Sequence, residues 1–259
     1  MNREHVSTAE LVGRLGKPPE LQYTQEQTPY VRLAVATAER FTDRGGEIRE
    51  RTEWHNAVAW GQVAEDIARD FSKGDSVALT GSLRINSYEK DGLKNRVTEL
   101  HVDKAEKNLD HTLSKNDARL VGVVREEPKT RSLENGTAMT MLSIATNTTV
   151  TGKGGTSRER EDWHNVTLWG KTAEAARDIH AGDSIAVDGT LRHRAVPGDE
   201  GRERRVSSID CQKFQVLERA QAREHKMREP TPPAPEPERS AATPSSRKSR
   251  SRKGAERDM

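Results

Sequence analysis

The residue types best suited to binding chemistry in this chain are four tryptophans. Trp54 and Trp60 lie six residues apart in EWHNAVAWG (53–61), and Trp163 and Trp169 repeat the spacing in DWHNVTLWG (162–170). On an extended strand an even spacing puts both side chains on one face, about 20 Å apart at ~3.3 Å per residue. Flat indoles at that interval can act as platforms for planar rings such as nucleobases. Stacking of this kind tolerates any base and is worth about 1–3 kcal/mol per base. Taken singly, each Trp could instead be a core residue, since large aromatics are highly buried on average. Retention of both pairs in two otherwise divergent segments favours a shared role.

Positive charge near these segments would suit phosphates. Stretches 40–51, 84–96, 153–160 and 192–205 balance at +1, +2, +2 and +2, whereas residues 1–218 as a whole balance at −3. The candidate phosphate contacts are Arg40, Arg49, Arg84, Lys94 and Arg96, then Arg158, Arg192, Arg194 and Arg205. Each could alternatively be an ordinary solvated surface residue. His55 and His164 follow the first Trp of each pair and so point to the opposite face. Neither has a second ligand at a metal spacing, so no metal or other cofactor is expected. Catalysis is not expected either. GKT at 170–172 lacks the earlier glycine of a phosphate loop, since Asn165 stands there, and neither HExxH nor GxSxG occurs.

Elements must position these side chains, and the chain supplies them twice. GDSVALTGSLR (74–84) matches GDSIAVDGTLR (182–192), LAVAT (33–37) matches LSIAT (142–146), and Leu11-Val12-Gly13 matches Leu120-Val121-Gly122. The offset is 109, slipping to 108 at the GDS block. Two domains of about 100 residues follow: residues 6–107 and 117–218, with a joint at 108–116. In the first, the alternation in 30–38, the segments 52–61, 76–85 and 95–103, and an early run near 9–15 read as five strands. Polar loops at 40–51 and 86–94 connect them. Val63, Ile67 and Phe71 share one face of a helix over 62–72, and a second helix is expected over 171–181. The fold class is all-β. Five strands with a helix between the third and fourth is the order of the OB-fold, a Greek-key barrel, here in tandem.

Composition sets the outer limits. Hydrophobic residues make up 32% of 259, and the lone Cys211 can form no internal disulfide. The start, MNREHVSTAEL, lacks an apolar secretory core, and no apolar run is long enough to span a bilayer. A cytoplasmic, nucleoid-associated location is expected. Residues 219–259 carry six of eleven Pro, a net +5, and no Ile, Leu, Val, Phe, Trp or Tyr. Such a segment cannot bury enough to offset chain entropy, so a disordered, basic tail is expected there.

The series TEWHxxxxWG, amphipathic helix, KGDSVxLxGxLR, polar hairpin and Arg-x-Thr-Glu strand resembles the bacterial single-stranded DNA-binding protein family. It does so in both halves, like that family's two-domain branch. The resemblance implies stacking at Trp54 and Trp60, with further aromatics at Phe41 and Tyr88 and repeat positions at Trp163 and Trp169. In the second copy Val150 and Val196 stand at the positions of Phe41 and Tyr88 and cannot stack. It also implies non-enzymatic single-stranded DNA binding in replication, recombination and repair, a homodimer presenting four OB domains, and oligomer contacts near His55 and His164. Most members end in an acidic tip that docks replication and repair proteins. This chain ends GAERDM after a basic run, so the resemblance leaves those partners open. Two alternatives remain open on the residues: an RNA-binding OB protein, or a scaffold whose second domain serves oligomerisation.

Overall fold

The computed structural model describes residues 5–220 apart from 44, 91–92, 109, 111, 152–156 and 198–202; for 89, 90, 93, 94, 151, 197 and 204 it describes the backbone alone. The expected disordered tail lies outside the described residues from 221 onward. Its first two residues are described and anchored: Arg219 pairs with Asp183 at 2.8 Å, and the Ala220 amide donates to the same carboxylate at 2.9 Å.

The first repeat comprises β1 (Val6–Leu15), β2 (Leu21–Tyr23), β3 (Pro29–Thr42), β4 (Ile48–Trp60), α1 (Gly61–Asp70), β5 (Ser76–Lys90) and β6 (Leu93–Lys107). The second comprises β7 (Lys115–Val124), β8 (Lys129–Ser132), β9 (Ala138–Thr151), β10 (Ser157–Trp169), α2 (Gly170–Ala175), β11 (Ser184–Pro197) and β12 (Glu203–Glu218). Each repeat thus has five long strands and one short extra strand paired to the second long one. β7 begins two residues inside the segment expected to be the joint.

Each barrel closes on itself. β1 pairs with β5 along its length and with β3 at Arg14↔Ala36 and Leu15↔Val35; β7 does the same with β11 and β9. Gly13 and Gly122 sit at these closures, where a Cβ would run into the carbonyl oxygens of Ala36 and Ala145. The core is aliphatic, with Leu11, Leu79, Leu83 and Leu100 in one barrel and Leu120, Ile185, Leu191 and Ile209 in the other.

The hairpin arms run further than alternation predicts. β3 and β4 stay paired to Thr42↔Ile48, and β9 and β10 to Thr151↔Ser157. In these arms the apolar period disappears while the backbone ladder continues. The second helix is shorter than expected. After α2 the chain continues in tight turns, with Ala176 N–H donating to Ala173 and Ile179 N–H to Ala176, at 3.2 and 3.1 Å. Ala173, Ala176 and Ile179 are all buried, and their spacing of three fits three residues per turn rather than 3.6.

The barrels are fused edge to edge. β1 and β7 pair antiparallel from Val6↔Val121 to Val12↔Lys115, with Ala9 opposite Ala118. These two alanines are equivalent by the 109-residue offset, so the seam has the self-complementary register of a two-fold contact, within one chain. No helix among the described residues is long and apolar enough to cross a membrane.

Candidate nucleic-acid interface

On β4, His55, Ala57 and Ala59 share one parity and are buried, while Trp54, Asn56 and Trp60 point out; Val58 shares the outer parity but is buried. Trp54 is 54% exposed and its ring lies against Gly16, the position at which any side chain would collide with the indole. Trp60 is 42% exposed at the strand end. There Gly61, at φ +59°, takes a left-handed turn into α1 that other residues adopt at a cost. Tyr30 stands directly opposite Trp60 in register, with ring centroids 5.2 Å apart, and the Arg32 guanidinium lies 5.9 Å from the Tyr30 centroid. Phe41, flanked by Arg51 at 5.8 Å, and Tyr88 are also exposed. Tyr30, Arg32 and Gly16 were not apparent from the sequence. Tyr30 becomes visible only once the hairpin register is known.

The second repeat presents its indoles differently. Trp163 is 36% exposed and carries the Arg125 guanidinium 4.9 Å from its ring. Arg125 occupies the position equivalent to Gly16. Trp169 is half-buried beneath Arg194, at 5.3 Å, which Asp210 holds by two contacts of 2.8 Å. Val150 and Val196 are half-buried. Val196, Val206 and Met141 line a recess of about 470 Å³ that also contains Asn165, Thr167 and Lys129.

The candidate arginines divide into three groups. Arg40 pairs with Glu50 at 3.3 Å, and Arg49 with Asp43 at 2.5 Å and Glu47 at 3.2 Å. The Arg49 contact lowers the Asp43 pKa. Arg96, Arg158 and Arg205 are exposed, and their side chains have no ion pair or hydrogen bond among the described residues. Arg84 is half-buried, with Nε enclosed and unpartnered. The side chain of Lys94 lies outside the described residues. Arg192 corrects the expectation: it is 7% exposed, bound to Glu39 and flanked by Glu53 at 3.6 Å and Asp210 at 3.8 Å. Where the barrels meet, its guanidinium is taken up by carboxylates and is not open to a phosphate. Burial alone would raise the Glu39 pKa, but hydrogen bonds from Arg192 and Arg51 outweigh it and lower the value.

His55 and His164 are also corrected. They do not face a second chain. Both are buried at the intrachain joint, 1% and 2% exposed. His55 Nε2 meets Thr37 Oγ1 at 2.9 Å and Asn116 of the other repeat at 3.3 Å; its Nδ1 meets His193 at 3.3 Å. His164 Nε2 meets Thr146 at 3.1 Å and Ser7 of the other repeat at 3.2 Å. Ser7 and Asn116 are themselves equivalent positions, so the contact is made twice. The neighbouring carboxylates repeat too: Glu53 accepts from the His193 amide at 2.8 Å and Asp162 from the Ile85 amide at 3.1 Å. Burial, with Arg192 and His193 nearby, pushes the His55 pKa down to about 3; burial brings His164 to about 4 despite Asp162. Thus in the TEWH and EDWH motifs the Trp faces outward while the residues on either side of it build the joint.

Among the described residues no group of three or more His, Cys, Asp and Glu is placed to hold a metal ion. The order of elements in the two repeats can be compared with known proteins. Residues 6–108 and 115–217 each match the Single-strand binding protein family. The single-stranded DNA-binding protein of Thermus aquaticus is 26% identical over 85% of this chain and 88% of its own length. That of Deinococcus radiodurans is 25% identical over 81% and 74%. The crystal structure of the wild-type Thermus aquaticus protein superposes with a TM-score of 0.69 at 24% identity, over 84% of this chain and 95% of that one, which shows a common fold. With two family matches that together span most of its length, the chain belongs to the Single-strand binding protein family.

Proposed function

We propose that the protein binds single-stranded DNA without regard to sequence. Bases stack on Trp54 and on the Trp60–Tyr30 pair, extended by Phe41 and Tyr88, and in the second repeat on Trp163 and Trp169. Phosphates lie along Arg96 and Arg158, with Arg40 reachable because its exposed ion pair is weak. The observation that carries this reading is the outward placement of Trp54 and Trp60 on a strand whose other face is buried at His55, Ala57 and Ala59. The role is to cover transient single strands in replication, recombination and repair, by binding rather than catalysis, as a pair of chains presenting four OB domains.

Titration of the intrinsic Trp fluorescence with poly-dT tests this. Strong quenching is expected, with loss of most of it in Trp54→Ala/Trp60→Ala; no quenching by wild type would refute the reading. One observation favours a lesser part for the second repeat: each of its indoles already has a guanidinium against it. If Trp163→Ala/Trp169→Ala leaves the occluded length unchanged, the second barrel serves assembly and not DNA. Sedimentation measures the pairing of chains.

A further inference from the structure

The joint between the barrels is two-fold in geometry but not in charge. Four arginines recur on both sides of it: Arg84, Arg96, Arg158 and Arg160 on one, and their counterparts Arg192, Arg205, Arg49 and Arg51 on the other. Glu50 and Glu53 recur as Glu159 and Asp162, but the other carboxylates at the joint do not. Glu39, which binds Arg192 and Arg51, has Thr148 as its counterpart, and Asp210, which flanks Arg192, has His101. On the carboxylate-rich side Asp43 and Glu47 also hold Arg49.

On the other side three carboxylates, Glu159, Glu161 and Asp162, line a recess, but only Asp162 is paired with one of that side's four arginines among the described residues. Arg84 Nε and Thr148 Oγ1 are enclosed and have no hydrogen-bond partner; in the mirror site Arg192 Nε also lacks one, but Arg192 Nη2 is bound to Glu39. Arg160 is occupied by Asp162 at 2.9 Å and by the Ile85 carbonyl at 2.7 Å. Arg96 and Arg158 have no side-chain partner among the described residues, and both line the same recess, of about 370 Å³, between the β5–β6 hairpin and β10. Glu161 has Arg125 at 3.8 Å. Burial is the main cause that holds the His101 pKa down at about 4, with Arg84 and Arg160 adding to it and Asp162 opposing.

We propose that a bound single strand passes from one barrel to the other on this side only, its phosphates seated in the recess between Arg96 of the first repeat and Arg158 of the second. The mirror route is closed to it by Glu39, Asp43, Glu47 and Asp210, whose charges repel phosphate. This rests on the single-strand binding proposed above and adds to it a one-sided path between repeats.

The test uses the full chain and two strands, one of about 10 nucleotides, within the reach of a single barrel, and one of about 30. Arg96→Ala/Arg158→Ala is compared with the mirror pair Arg205→Ala/Arg49→Ala. Losing two phosphate contacts lowers the salt slope by about 1.4, so the affinity deficit should shrink about sevenfold between 50 and 200 mM salt. That change is expected on the long strand, not on the short one, and less than half of it in the mirror pair. Thr148→Glu, which places a carboxylate where the mirror site has Glu39, should also weaken long-strand binding while far-UV circular dichroism stays unchanged. Equal effects from the two sides, or an equal effect on the short strand, overturn the one-sided path. Absence of quenching in the wild type refutes the underlying reading instead.

Discussion

A glycine and an arginine at equivalent positions decide how two otherwise matched indoles meet solvent. Gly16 lets the Trp54 ring rest on the backbone with one face open, whereas Arg125 lies over Trp163. Gly16→Ala should therefore displace the Trp54 ring and reduce quenching by poly-dT without unfolding the barrel. Displacing one platform is worth up to about 1–3 kcal/mol of binding. Arg125→Gly should do the opposite in the second repeat and increase the share of quenching that Trp163 supplies. Both follow from fluorescence titrations. A Gly16→Ala protein that quenches like wild type, or an Arg125→Gly protein with no gain, contradicts this account. The aromatic positions themselves were legible in the sequence as spacing. Their covering partners were not, because residues 16 and 54, or 125 and 163, come together only across strands.

Strands in this protein are longer than their apolar pattern, and their ends are fixed by pairing. The polar arms of β3, β4, β9 and β10 read as loops because they lack an apolar period, yet they carry Phe41 and Arg158 on paired strands. Closure of each barrel depends on a single close approach at Gly13 or Gly122. Gly13→Ala forces its new methyl against the Ala36 carbonyl and should cost at least about 1–3 kcal/mol of stability, as overpacking does. Urea unfolding measures it. Gly46→Ala, at an open turn with φ +84°, is the comparison: it meets no neighbour and should cost less. The two repeats differ at this scale in their helices, where the three-residue spacing of Ala173, Ala176 and Ile179 replaces a regular second helix.

The molecule as a whole is held together at a joint lined by neutral histidines, of which His55 and His164 are buried and His101 half-buried. His55, His164 and His101 have pKa values held at about 3, 4 and 4, mainly by burial. In the unfolded chain they titrate near 6.5. Below that pH the unfolded state takes up protons that the folded state refuses, so folding stability is complete above about pH 7 and falls as pH drops from 6.5 toward 4. Thermal melts should show a plateau at neutral pH and a declining melting temperature over that interval. His55→Gln and His164→Gln should each flatten part of the decline. If the melting temperature holds steady between pH 7 and pH 4.5, these histidines are not buried neutral groups. The same joint explains why Arg192 was misplaced: its sequence surroundings match those of an exposed loop arginine, and only the second barrel buries it.

By itself the sequence determined the duplication, the strand and helix order of each barrel, and the facing of the indoles, because these depend on period and spacing along one segment. It also carried the family resemblance that the matches over 6–108 and 115–217 establish. The tertiary structure alone decided where the two copies touch. A seam centred on Ala9 and Ala118 brings together residues 109 apart, turning His55, His164, Glu53 and Arg192 into joint residues. It also sets matched arginines beside unmatched carboxylates. Such pairings depend on how two folded surfaces meet, and no local pattern in either surface encodes its partner.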